Sequence, residues 1–247
     1  MKSQYPKIFE PITIKRTTIN EFETPRIAKT SKCFNLSNND ELVGVGLTLG
    51  NSDILVTNSL GQASLFNEQD INLVSLKAGG IKSMTGLNED IYISSLLTFN
   101  DKENCKLGII TAQQGARLVD YTNITKTSRL GPKTALYKSF KSEPQICLNI
   151  FKFARKQEKM WVNVILSNRI RDIVKLEQTK TFPLEAYLKR NLELASNDPI
   201  VDTCIETVPV LNEDSKIFIV KKIEKEEKPS SDEYEQLSLF SYIDDDD

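Results

Sequence analysis

The sequence predicts an all-β fold, a propeller-like array of about four strand-built units, closed or incomplete, followed by a disordered acidic tail. Two observations predict it. Apolar runs that end in a Gly turn recur at a period of about 50 residues, first in Ile54, Leu55, Val56, Thr57, Asn58, Ser59, Leu60, Gly61 and again in Ile109, Ile110, Thr111, Ala112, Gln113, Gln114, Gly115. Helical spacing is scarce: apolar residues at 184, 188 and 192 mark one candidate helix over 184–194. One such unit cannot bury both faces of its sheet, so copies must stack.

Each element follows from the repeat. Gly61 and Gly115 mark two hairpin turns, with Ile12 and Asn168 in the corresponding places. Gly and Asn suit such turns because both tolerate positive φ. Second strands are then expected at 13–19, 62–66, 116–121 and 170–176. A further landmark follows each pair, in Ser31-Lys32, Gly80-Ile81-Lys82, Gly131-Pro132-Lys133 and, more weakly, Lys189. Acidic or Asn-rich turns precede return strands at 42–49 and 91–99, and a third return strand is expected at 146–153. These landmarks divide residues 1–220 into units near 1–45, 46–99, 100–152 and 153–220. Trp161 opens the last and most divergent one.

Composition excludes several classes. Among 247 residues there is no His, and Cys33, Cys105, Cys147 and Cys204 stand far apart, which rules out the usual zinc spacings. They are expected as buried free thiols in a reducing cytoplasm. There is no P-loop and no GxGxxG after a strand, and acidic pairs such as Asp40-Glu41 and Glu89-Asp90 sit at solvated turns. No catalytic residue, cofactor or metal is assigned. Residues 1–10 lack the apolar core of a signal peptide, and no apolar run approaches the roughly 20 residues that span a bilayer. A soluble, cytoplasmic protein is expected.

The residues Ile14-Lys15-Arg16-Thr17-Thr18-Ile19-Asn20-Glu21-Phe22, the turn at Gly61 and the run Ala78-Gly79-Gly80-Ile81-Lys82-Ser83 carry a resemblance. Together they resemble the C-terminal domain found in the A subunits of topoisomerase IV and of its relative gyrase, over roughly residues 12–150. The resemblance implies a β-pinwheel, a propeller-like disc whose blades exchange strands and whose basic rim binds and bends duplex DNA. It implies three partners: double-stranded DNA, the topoisomerase catalytic core and the ATPase component of that enzyme, with a nucleoid-associated location. The chain looks like a terminal fragment or detached module that begins its first blade at the second strand. The gyrase box resembling Gln-Arg-Arg-Gly-Gly-Arg-Gly is not present, which favours bending over wrapping.

Charge placement nominates the contacts. Residues 221–247 hold 4 Lys+Arg and 10 Asp+Glu, which leaves 28 basic and 24 acidic residues in 1–220. A curved rim that repeats a cation in each blade follows a phosphate backbone without reading bases. Lys32, Lys82 and Lys133 share one landmark, while Lys15, Arg117 and Arg171 fall two or three residues after a hairpin turn. Arg16, Lys77, Lys126, Arg129 and Arg169 extend the stripe. The plainer reading is that Lys and Arg occupy solvated strand edges, where they deter sheet-to-sheet association. Arg155, Lys156 and Lys159 read as a solvated loop, and Trp161 as core.

Beyond 220 the composition is that of a disordered linker. It carries Gln236, Leu237, Ser238, Leu239 and Phe240, which resemble the short motif by which bacterial replication and repair proteins dock on the DNA polymerase sliding clamp. The alternative to the DNA-binding reading is a protein-interaction propeller with no nucleic-acid role, which recruits partners such as that clamp through its tail.

Overall fold

The computed structural model describes residues 13–22, 32–34, 36, 41–87, 90–100, 105–154, 161–176 and 183–205. The chain divides into a unit over Met1–Glu206 and a second over Thr207–Asp247, and the second lies wholly outside the described residues. So do the expected limit at 220, the motif at 236–240, and Arg155, Lys156 and Lys159.

The fold is all-β. Among the described residues, helix is confined to 3₁₀ turns at Ile19–Phe22, Glu68–Asp70 and Tyr121–Asn123 and a 3₁₀ residue at Leu176. The strands are β1 (Thr13–Ile14), β2 (Asp53–Asn58), β3 (Gln62–Asn67), β4 (Ile81–Lys82), β5 (Ile93–Phe99), β6 (Cys105–Thr111) and β7 (Ala116–Asp120). There follow β8 (Thr134–Ala135), β9 (Lys138–Ser139), β10 (Cys147–Ala154), β11 (Trp161–Leu166), β12 (Arg171–Lys175), β13 (Tyr187–Leu188) and β14 (Ile200–Ile205).

Three antiparallel sheets repeat one plan, in which the hairpin's first strand lies between its second strand and a return strand. Their orders are β5-β2-β3-β8, β10-β6-β7 and β14-β11-β12. The alternation of β2 explains the stacking. Ile54 and Val56 face one core with Ile14, Phe66, Ile71 and Met84, while Leu55 faces a second with Leu107, Ile109, Leu136 and Ile150. On β6, Leu107 and Ile109 join that second core, and Ile110 turns to a third with Val162, Val164 and Val174. Period-two side chains on a strand buried on both faces make each of the first two sheets a partition between two cores, while the third sheet borders one. Each buried Leu, Ile or Val contributes about 1.5–3 kcal/mol.

Neighbouring sheets also exchange strands. β8, from the third unit, pairs with β3 of the second through Gln62↔Ala135 and Ala63↔Thr134. β4 pairs with β1 in the same manner, through Thr13↔Lys82. On β7 the role passes to a side chain: the Asn191 amide oxygen accepts from the Ala116 N–H at 2.7 Å and its nitrogen donates to the Ala116 carbonyl at 2.7 Å. Strand-edge groups are thereby paired rather than left open.

The first hairpin tip falls on Gly61 as expected, and the next two differ from expectation by one residue. Left-handed backbone falls on Gly61 (φ 71°), Gln114 (φ 60°) and Arg169 (φ 70°), not on Gly115 or Asn168. In each turn the left-handed residue donates its N–H three residues back, to Asn58, Thr111 or Leu166. Gly61 has a second reason to be Gly, since a Cβ there lies 2.2 Å from the Tyr137 ring.

Three further expectations are corrected. Residues 184–194 form no helix: they hold β13 in otherwise irregular chain, and Leu184, Leu188 and Leu192 point alternately inward. A spacing of four fits period two as well as period 3.6, and the cores select the former. Residues 42–49 contain no strand, and Val45, Leu47 and Leu49 are 80%, 83% and 86% exposed. The strand expected over 13–19 stops at Ile14. The thiols also divide: Cys105 and Cys147 are buried, Cys33 and Cys204 exposed.

Glu68 ties the second unit to the first. Its carboxylate accepts from the Ser52 N–H at 2.6 Å, the Thr48 hydroxyl at 2.7 Å and the Arg16 guanidinium at 3.3 Å. Burial pushes this carboxyl up, but the Ser52, Thr48 and Arg16 bonds outweigh it and hold the pKa below the usual value. A depressed folded pKa contributes stability that is present above the unfolded value of about 4.3 and lost as pH falls through the folded one. Glu68→Gln therefore costs about 1–3 kcal/mol near neutral pH. In thermal melts its deficit against wild type shrinks below about pH 4; a deficit independent of pH contradicts the assignment.

Candidate nucleic-acid interface

The strand exchange positions the cations. β4 and β8 lie on the outer edges of their sheets, so the landmark lysines arrive there with them. Arg129 converges on the same place. Its N–H donates to the Asp70 carboxylate at 3.0 Å, and its guanidinium donates to the Asp70 and Lys82 carbonyls. Lys133 donates to the Thr85 carbonyl at 3.2 Å. Lys82, Arg129 and Lys133, separated by up to 51 positions in sequence, thus form one patch across the junction of two units. Lys82 is exposed and the other two half-buried.

A second group gathers near β1. The Lys15 ammonium donates to the Cys33 carbonyl at 3.0 Å and the Leu76 carbonyl at 2.6 Å, which brings exposed Lys32 and Lys77 beside it. Arg169 and Arg171, both exposed, stand at the tip and first rung of the third hairpin.

Other expected contacts are engaged in the fold. Arg16 pairs with Glu68 at 3.3 Å and Lys126 with Asp53 at 2.5 Å. Arg117 is corrected outright: it is 1% exposed. Its guanidinium donates to the carbonyls of Leu136 at 3.3 Å, Ala186 at 3.0 Å and Tyr187 at 2.9 Å. The reason is parity. Counted from the left-handed residues, Arg117 stands three after Gln114 whereas Arg171 stands two after Arg169, and a shift of one residue sends a strand side chain to the opposite face. Burial pushes its pKa down from the usual guanidinium value.

Sequence reasoning missed Lys138, Lys141 and Arg190, which with Lys189 form an exposed basic set where β13 pairs in parallel with β9. Lys138 meets Glu185 at 3.0 Å, and the Lys189 ammonium lies 4.9 Å from the Phe140 ring centroid. The recurring landmark at Lys189 was the available signal. Trp161, expected in the core, is 39% exposed with the Lys175 ammonium 4.5 Å from its ring centroid.

No protein-family model matches the chain. Among curated proteins, it is 24% identical over 147 residues to the A subunit of DNA topoisomerase 4 from Bacillus subtilis, covering 60% of this chain and 18% of that protein. It is 32% identical over 85 residues to the DNA gyrase A subunit of Klebsiella oxytoca, covering 34% of this chain and 10% of that one. Its relatives are the A subunits of topoisomerase IV and gyrase. The chain spans under a fifth of the length of either relative. Among solved structures, the C-terminal domain of DNA topoisomerase IV superposes with a TM-score of 0.71 at 19% identity, covering 86% of this chain and 64% of that one. A gyrase A C-terminal domain gives 0.50 at 12% identity, covering 64% and 50%. The all-β pinwheel fold of these topoisomerase domains is therefore the fold of this chain.

Within this topoisomerase-type pinwheel, Arg117 holds units together. Arg117→Met leaves three carbonyls without their charged donor and lowers stability by about 3 kcal/mol or more. Thermal melts of wild type and variant check this, and an unchanged midpoint contradicts the structural role.

Proposed function

We propose that this chain is a DNA-binding and DNA-bending module that works with a type IIA topoisomerase and assists capture of a duplex segment for strand passage. The observation that carries the reading is the convergence of Lys82, Arg129 and Lys133 on one outer edge, where strand exchange joins two units. A cationic edge that turns from one unit to the next meets successive phosphates and favours a curved duplex, with no base contact required. In this reading strand cleavage belongs to the catalytic core and ATP hydrolysis to the ATPase component. The location is the cytoplasm, at the nucleoid.

Lys32, Lys77, Lys82, Lys133, Arg169 and Arg171 are the residues assigned to phosphate contact, with Arg129 shaping the patch. Lys15, Arg16 and Lys126 are positioned by carbonyls and carboxylates and contribute less. Gln236, Leu237, Ser238, Leu239 and Phe240 are assigned to docking on the DNA polymerase sliding clamp. The interaction-propeller reading draws support from the ion pairs that occupy Arg16, Lys126 and Lys138.

The test is a titration of a fluorescent duplex over a range of salt. Affinity falls as salt rises, and the slope of log K on log salt is shallower by about 2–3 in the triple variant Lys77→Gln, Lys82→Gln, Lys133→Gln. Fluorescence transfer between the ends of a short duplex rises on binding, which reports the bend. A chain that binds no duplex at low salt, or a triple variant with an unchanged slope, favours the interaction propeller instead.

A further inference from the structure

An apolar groove of about 470 Å³ opens beside β1. One bank is β1 with Ile14; the other is the segment 41–48, whose Gly44 and Gly46 take part; the floor is the first sheet, through Val56 and Leu96. The repeat explains its shape. In the three complete sheets the hairpin's first strand lies between the second strand and the return strand. Here, among the described residues, the two outer positions are present and the groove lies at the place of the strand between them.

Three independent features place the first unit 49 residues ahead of the second. Thr13 pairs with β4 as Gln62 pairs with β8. The isolated bridge Arg16↔Leu73 matches Leu65↔Lys126. The 3₁₀ turn beginning at Ile19 matches the one beginning at Glu68. The same offset carries β5 onto 44–50, and the packing agrees: ideal Cβ positions on Gly44 and Gly46 lie 3.1 Å from Leu96 Cβ and 2.5 Å from Thr98 Cγ2, while Val45, Leu47 and Leu49 point outward. It carries β2 onto 4–9, a stretch that holds Ile8 and Phe9.

We propose that the groove is the seat of the first unit's central strand and that Lys7, Ile8 and Phe9 of the same chain occupy it. The register follows from the second unit. Thr57 opposes Ala63 and Ser95 there, so Ile8 opposes Ile14 and Gly46 and directs its side chain onto Val56 and Leu96. Residues 10–12 form the hairpin connection, three residues long like 59–61. Pro6 has no N–H for the ladder, which sets the strand's start at Lys7. The covalent connection favours this occupant over a separate chain, because closing a short loop costs far less than bringing two molecules together.

Amide hydrogen exchange read by mass spectrometry on full-length chains tests the proposal. In wild type, peptide 43–49 exchanges at least 100-fold more slowly than in Ile8→Asp or in Lys7→Pro, the second of which removes a ladder donor without adding charge. Peptide 53–67 stays protected in all three, which shows that the variants fold. Rapid exchange of 43–49 in wild type overturns the proposal, as does protection that both variants retain. Protection that fades on dilution overturns it too, since a second copy then fills the groove.

Discussion

One main-chain contact sets the spacing of everything else. The residue after each hairpin's first strand donates within its own sheet, Ser59 N–H to the Tyr92 carbonyl and Ala112 N–H to the Ile146 carbonyl, both at 2.8 Å. Its carbonyl then accepts from the start of the next sheet's return strand, Ser59 from Cys147 and Ala112 from Ile200, again at 2.8 Å. Buried backbone groups must find partners, and here the partner of each tip is supplied by the following unit. A sheet that slips by one residue loses this bond and turns its core side chains outward. The stack of partitions, the strand exchange and the cations on its edge inherit their register from these bonds.

Much of this was legible because each unit obeys period two and marks its turns with recognisable residues. The hairpins at Gly61 and Gly115, the strands β3, β7, β10 and β12 and the landmark lysines were all visible. What escaped notice depended on neighbours. Gln114 and Arg169 adopt left-handed backbone because the turn is held by hydrogen bonds to Thr111 and Leu166, which outweigh the preference for Gly. Leucines at 184, 188 and 192 satisfy two periods at once, and only the cores they meet decide between them. Residues 42–49 read as a strand, but a strand needs a partner on its edge, and sequence pattern reports faces rather than partners.

The basic residues show the same division. Recurrence at a landmark placed Lys82 and Lys133 on an outer edge, since the edge is where the exchanged strand arrives. Recurrence after the turns grouped Arg117 with Lys15 and Arg171, and one residue of offset separates a buried tie among three carbonyls from an exposed cation. Lys15, Arg16 and Lys126 illustrate a further limit, because carbonyl or carboxylate partners from distant parts of the chain occupy them. Charge counting over residues 1–220 does not distinguish these cases; burial and partners do.

Lysine footprinting tests the central claim, that strand exchange builds a phosphate-facing edge. Acetylation rates of individual lysines are compared by mass spectrometry with and without a saturating duplex. Protection is expected to concentrate at Lys77, Lys82 and Lys133, with Lys175 over Trp161 unchanged. Protection spread evenly over the surface, or centred on Lys175 with the landmark lysines unaffected, contradicts it.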